Sequence, residues 1–200
     1  MKKTIASGIA VLWFGLLFSQ TRFHCPVTGL DKNAHLPSAN LVALNKLKNR
    51  GKTPTDIDES ISLADILAPG NDRNRFSNNK AIKITGFIFN AKAGGTEDCN
   101  CFYGKEDFID THIEIALSAG ETDKKKVMVV EITPRFKALH PEWRTNKILA
   151  LKGKKVTITG WMFFDEKHWQ NSKNSNPRGT NLYRATAWEI HPVTSFEVLD

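Results

Sequence analysis

The stretch from residue 81 to residue 200 reads as three strands, one helix and two further strands, with long polar loops after the first and fourth strands. That order points to a small closed barrel. Because such a barrel is reused for many binding and catalytic tasks, it constrains architecture more tightly than activity.

Each element has a local reason. Ala81–Ala91 alternates and is rich in isoleucine and phenylalanine, with Gly86 at mid-strand, where a strongly coiled barrel strand has to bend. Asp110–Leu117, Lys126–Thr133, Lys155–Phe164 with Gly160 at its middle, and Thr186–Val198 with a break expected at Pro192 supply the other four. Pro141 suits the first turn of a helix running to about Leu151, and Gly153 suits its stop.

Upstream, Lys2 and Lys3 precede the apolar run Ile5–Phe18 and the polar Ser19-Gln20-Thr21-Arg22, the layout of a secretory signal. The run is short for a membrane span, so residues 1–20 are read as a signal peptide, with an uncleaved anchor as the alternative. The mature protein is then expected to be periplasmic or extracellular, with no stable transmembrane helix. Loss of the two signal lysines takes the formal charge from +7 to +5, still basic. About 180 residues remain, enough for one core with an extension. Residues 21–79 are that extension and 80–200 the barrel domain. Within the extension, Leu41, Leu44 and Leu47 stand at helical spacing before Gly51 and predict an amphipathic helix, and Ile61–Leu67 predicts a second. Of the three cysteines, Cys99 and Cys101 are too close for an easy mutual bridge. A disulfide from Cys25 to either one is sterically easier.

The placement of one helix between the third and fourth of five strands, together with the two mid-strand glycines, resembles the oligonucleotide/oligosaccharide-binding barrel, the OB-fold. The fold class is therefore mainly β, a five-stranded Greek-key barrel preceded by short helices. The run from Ala185 to Thr194 also resembles the ending of uncharacterised exported bacterial proteins, which implies no activity.

A symmetric hairpin about the loop Ser118–Lys125 pairs residues whose numbers sum to 243, which puts His112 opposite Glu131. Ile113, Ile115, Val130 and Met128 then share one side, and Asp110, His112, Glu114, Glu131 and Thr133 the other. The OB arrangement implies that the fifth strand runs beside the third with Trp188 and Ile190 inward, which turns Glu189 and His191 onto that same outer face. Two imidazoles with two or three carboxylates suit a divalent transition metal, held by His112, Glu131 and His191. The ordinary expectation for this face is solvated side chains, with His112 and Glu131 a cross-strand pair.

The loop after the first strand carries Gly94-Gly95, Glu97, Asp98, the cysteine pair and Phe102-Tyr103, and the loop after the fourth carries His168, Trp169, Arg178, Tyr183 and Arg184. The OB resemblance implies that these loops flank a ligand groove. Aromatic side chains interleaved with arginine suit stacking of bases, and ten lysines or arginines between Lys124 and Lys155 suit a polyanion. Two main readings follow. In the first, Asp110, His112, Glu131, Arg135, Trp169, Arg178, Tyr183, Arg184 and Glu189 line a groove for single-stranded nucleic acid, favoured over an oligosaccharide. The second is a metal-dependent hydrolase, phosphodiesterase- or nuclease-like, on the same outer face, with Arg135 steadying a phosphate. An envelope protein-interaction module is a third.

Overall fold

A computed structural model describes residues 23–200, so the signal-peptide segment lies outside the described residues. In chain order the elements are α1 (Ala39–Lys48), α2 (Leu63–Leu67), β1 (Ala81–Ala93), β2 (Thr111–Ala116), β3 (Met128–Ile132), α3 (Pro134–Leu139), α4 (Thr145–Leu149), β4 (Lys155–Phe164) and β5 (Trp188–Leu199). The strands close in the order β1-β2-β3-β5-β4. Only β3 and β5 run parallel, with Val129 opposite Glu189 and Val130 opposite Ile190. This is an OB-type barrel. No helix among the described residues is long and apolar enough to cross a membrane.

The β2–β3 ladder has the register that the hairpin loop predicts: His112 faces Glu131 and Ile113 faces Val130. The inward side is filled by Ile82, Ile84, Ile88, Ile113, Ile115, Val130, Ile158, Met162, Trp188 and Ile190. Because side chains alternate along a strand, fixing these residues inward fixes His112, Glu131, Glu189 and His191 outward. Strand β5 continues through Pro192, and the break expected there is absent; instead the pairing with β4 slips around Gly160.

The single helix expected from Pro141 to Leu151 is two short pieces, a 3-10 turn at Pro141–Trp143 and α4, and a further short helix, α3, precedes them where none was expected. Pro134 opens α3 directly after β3, and Pro141 ends it, because a residue before proline is pushed out of helical geometry; His140 has φ −129° and ψ 78°.

Helix α1 forms where the leucine spacing predicts it but buries a different edge. Leu41, Leu44 and Leu47 are only half-buried, whereas Asn45, Lys48 and Asn49 are buried. Asn45 Nδ2 donates to Thr28 O and Asp98 Oδ2, both at 2.8 Å, and Asn49 Nδ2 donates to Cys99 O at 2.9 Å. The extension is also tied covalently to the β1–β2 loop by a Cys25–Cys101 disulfide, which leaves Cys99 a buried free thiol.

Gly160 is a point of close approach. A methyl group there would run into the Pro192 carbonyl, the Ile190 side chain and the Val193 backbone, whereas one at Gly120 would meet nothing. Gly160→Ala should therefore lower the unfolding free energy by about 1–3 kcal/mol, the cost of overpacking, and Gly120→Ala should leave it nearly unchanged. Urea midpoints of the two variants check this.

Candidate metal centre

The outer face is not solvated. Loop 94–110 and α1 lie across it, so Asp110, Glu131, Glu189 and His191 are 1 %, 4 %, 1 % and 0 % exposed. The open groove expected between the two long loops is covered in this structure. A small gap of about 20 Å³ remains under α1, lined by Leu44, Lys48, Phe163, Asp165 and Lys167 among others. A far larger concavity of about 720 Å³, lined by residues 52–59 and Trp161, holds none of the predicted site residues.

Glu131 is the centre of the cluster. Its Oε1 lies 3.0 Å from His112 Nε2 across the β2–β3 ladder, and its Oε2 lies 3.2 Å from His191 Nδ1 on β5. One ligand-type atom each from Asp110, Glu131 and His191 falls within 4.8 Å of the others. The contact to His191 is short but poorly directed: neither ring nitrogen of His191, nor Glu131 Oε2, nor Asp110 Oδ1 has a hydrogen-bond partner among the described residues. Buried polar groups seldom lack partners, and here the unpartnered atoms converge on one another.

Their protonation fits a cation site. Burial pushes the His191 pKa down, which keeps the ring neutral and a lone pair available. Burial opposes the charge on Glu131, yet the charge and hydrogen bond of His112 beside it hold its pKa well below the usual carboxylate range. His112 is also opposed by burial, but Glu131 carries it up to about 9. At neutral pH it is therefore an imidazolium on Glu131, not a free donor of a lone pair. Of the three metal ligands expected from the sequence, Glu131 and His191 converge with Asp110, and His112 stands on the other side of the carboxylate.

Around this core the charges do not balance. Glu97, Asp110, Glu131, Asp165 and Glu189 face two buried permanent cations, Lys48 and Arg184, the His112 imidazolium on Glu131, and Lys167 acting on Glu97 from the surface. Burial, with Glu131 and Asp165, pushes the Glu189 pKa well up, and burial raises Asp110. Protons thus relieve part of the excess negative charge, and a divalent cation would relieve it without them.

Arg184 is buried at 2 % exposure, with Nη1 2.6 Å from Glu189 and 3.4 Å from Asp165, so it is committed to internal carboxylates. Arg135 donates to Asn49 Oδ1 at 3.1 Å and to the Cys25 carbonyl, holding the extension down. Trp169 is half-buried with the Arg73 guanidinium 5.8 Å from its ring, Tyr183 lies edge-on to His168 at 6.3 Å, and Arg178 is exposed. These loop residues do not join the cluster. Lys48, by contrast, enters it from a segment in which only apolar spacing was informative. Burial works against its charge, but Glu97, Cys99 and Glu131 hold its pKa well above the ordinary lysine value.

No family model matches the chain, and no curated protein does. Among solved structures it is similar to Entamoeba histolytica asparaginyl-tRNA synthetase, with 14% identity and a TM-score of 0.33 over 67% of this chain. The chain spans 23% of that protein's length. Function is therefore argued from the site.

Asp165 supplies a pH test away from the metal-type ligands. Burial raises its pKa, but the hydrogen bond from His168 Nδ1 and the charge of Arg184 outweigh burial and depress it. A depressed carboxylate pKa stabilises the fold above the unfolded value, about 4, and that contribution is lost as pH falls toward the folded value. Asp165→Asn should cost about 3 kcal/mol at pH 7, the lower end for breaking a buried pair, and the gap should narrow below pH 4. A gap that stays constant in urea titrations from pH 7 to 3 would remove Asp165 as its source.

Proposed function

We propose that this protein is an exported, metal-dependent hydrolase of phosphodiesters, with a divalent transition ion held by Asp110, Glu131 and His191 on the outer face of an OB barrel. The observation that carries this reading is the convergence of unpartnered, buried ligand atoms from β3, β5 and the residue preceding β2. A mixed nitrogen and oxygen donor set suits zinc or manganese. Such an ion lowers the pKa of bound water and so provides a nucleophile at neutral pH.

The chain's own groups divide the remaining work. Glu131 keeps its charge through the His112 imidazolium beside it. His112, whose side chain is 16 % exposed, is the member of the centre that meets solvent, and its imidazolium suits an incoming phosphoryl oxygen. The formal charge of +7, concentrated between Lys124 and Lys155, favours a polyanionic substrate such as single-stranded nucleic acid. Export is supported by the Cys25–Cys101 disulfide, which suits an oxidising compartment, and by the signal-like layout of residues 1–20.

The second reading, a single-strand-binding module without turnover, draws on half-buried Trp169 and Tyr183 and exposed Arg178 in one loop. Elemental analysis of the mature protein, paired with hydrolysis of bis(p-nitrophenyl) phosphate and a labelled single-stranded oligonucleotide, separates the two. The hydrolase is expected to carry close to one zinc or manganese per chain and to lose turnover with a chelator. His191→Ala should lose both the metal and the turnover. A protein that takes up no metal, yet binds the oligonucleotide with an affinity that falls steeply with salt, would instead be the binding module.

A further inference from the structure

A second group of ligand-type side chains adjoins the first and shares Asp110 with it. Atoms of Glu97, Cys99 and Asp110 lie within 4.8 Å of one another. Cys99 is 1 % exposed, and its thiol donates to Glu97 Oε2 at 3.4 Å. Asp110 accepts from Asn100 Nδ2 at 2.9 Å through Oδ2, and its Oδ1 has no partner among the described residues. The cation serving this group is Lys48, whose Nζ sits 2.6 Å from the same Glu97 oxygen with its side chain 9 % exposed. A single ammonium, bonded to one of the two carboxylates, leaves their charge only partly compensated, beside a thiol that donates to the same Glu97 oxygen.

The geometry points to Glu97, Cys99 and Asp110 as a second cation subsite for a thiophilic divalent ion of the zinc class, with Lys48 as an internal counter-ion that takes the ion's place while α1 is docked. A thiolate with two carboxylates is a donor set zinc accepts. Asp110, with two oxygens, then has one to offer to each ion. Two-ion phosphoester sites hold their metals about 3.5–4 Å apart, which suits a single shared carboxylate. The inference rests on the proposed hydrolase centre through Asp110 and adds both a second ion and the means of its exclusion.

Lys48 reaches the subsite on a helix seated by polar contacts. Asn45, one turn before Lys48, and Asn49, the residue that follows it at the end of α1, bond the backbone of residues 27–28 and 99 and the side chain of Asp98. Arg135 closes the arrangement from α3 through Asn49. The leucines of α1 are only half-buried, and the fully buried groups that undocking would expose, Asn45, Lys48 and Asn49, are ones that water solvates readily. The Lys48 ammonium and a divalent ion are then alternative ways of satisfying the same carboxylate.

The test is zinc stoichiometry on the full, disulfide-intact chain, with Co(II) as a spectroscopic substitute. The unaltered protein should bind one ion and show no thiolate-to-cobalt charge-transfer band. Lys48→Met should bind two and show the band, and adding Cys99→Ser should return it to one. Lys48→Gln, which keeps a donor for Glu97, is read in the same way should the methionine variant fail to fold. One ion and no thiolate band in a folded Lys48 variant would overturn the subsite. Two ions in the unaltered protein would overturn the role of Lys48. No ion in the unaltered protein but one thiolate-bound ion in the variant would support the subsite while removing the Asp110–Glu131–His191 centre. No ion in either folded protein would overturn both.

Discussion

Burial of the Glu131 carboxylate is the constraint around which the site is organised. A carboxylate removed from water needs compensating charge and hydrogen bonds; the barrel supplies charge from one flanking strand, through the His112 imidazolium on β2, and on the other sets the neutral His191 of β5 beside the second oxygen, which is left unpartnered. Neither neighbour is adjustable. His112 is fixed opposite Glu131 by the antiparallel ladder, and His191 is turned outward because Ile190 is held in the core. The apolar interior therefore determines the polar exterior: a one-residue slip of β5 would bury His191 in the barrel and expose Ile190.

What covers this face is of a different physical kind from the core beneath it. The barrel is closed by isoleucine, valine, methionine and tryptophan side chains, while α1 is seated by Asn45, Lys48, Asn49 and Arg135. Apolar burial of about 25 cal/mol per Å² makes the first hard to reverse. A net contribution of about 1 kcal/mol per neutral hydrogen bond, with water ready to replace each partner, makes the second easier to exchange. The Cys25–Cys101 disulfide limits how far the extension can move without unfolding the barrel.

The sequence was legible where local periodicity decides the outcome. One loop of known ends set the β2–β3 register and alternation put Asp110 and Glu131 on one face, while Glu189 and His191 joined them only through the strand order that the OB resemblance implies. It was not legible where long-range contacts decide. The leucines of α1 suggest an apolar docking edge, yet the helix presents Asn45 and Lys48 because the surface it meets is the polar loop 97–100. Lys48 and Glu97 are 49 positions apart, and nothing in either neighbourhood announces the other. The same holds for Arg135 and Arg184, which suit a phosphate when read as free cations but are committed to the Cys25 carbonyl and to internal carboxylates. Cys99 and Cys101 were equal candidates for Cys25 until the 3-10 turn at Asp98–Asn100 placed Cys99 under the extension.

The imbalance of charge links these parts. With α1 docked, Lys48, Arg184 and the His112 imidazolium answer five carboxylates, and protons on the most deeply buried of them, Glu189 above all, make up part of the difference. Without Lys48 the deficit grows by one, and the group left without its ion-pair partner is Glu97, beside Cys99 and Asp110. In the proposed reading, cation content and the position of the extension are therefore coupled through a single electrostatic quantity. An ion that binds better when the helix is away must, by the same free-energy difference, favour keeping it away.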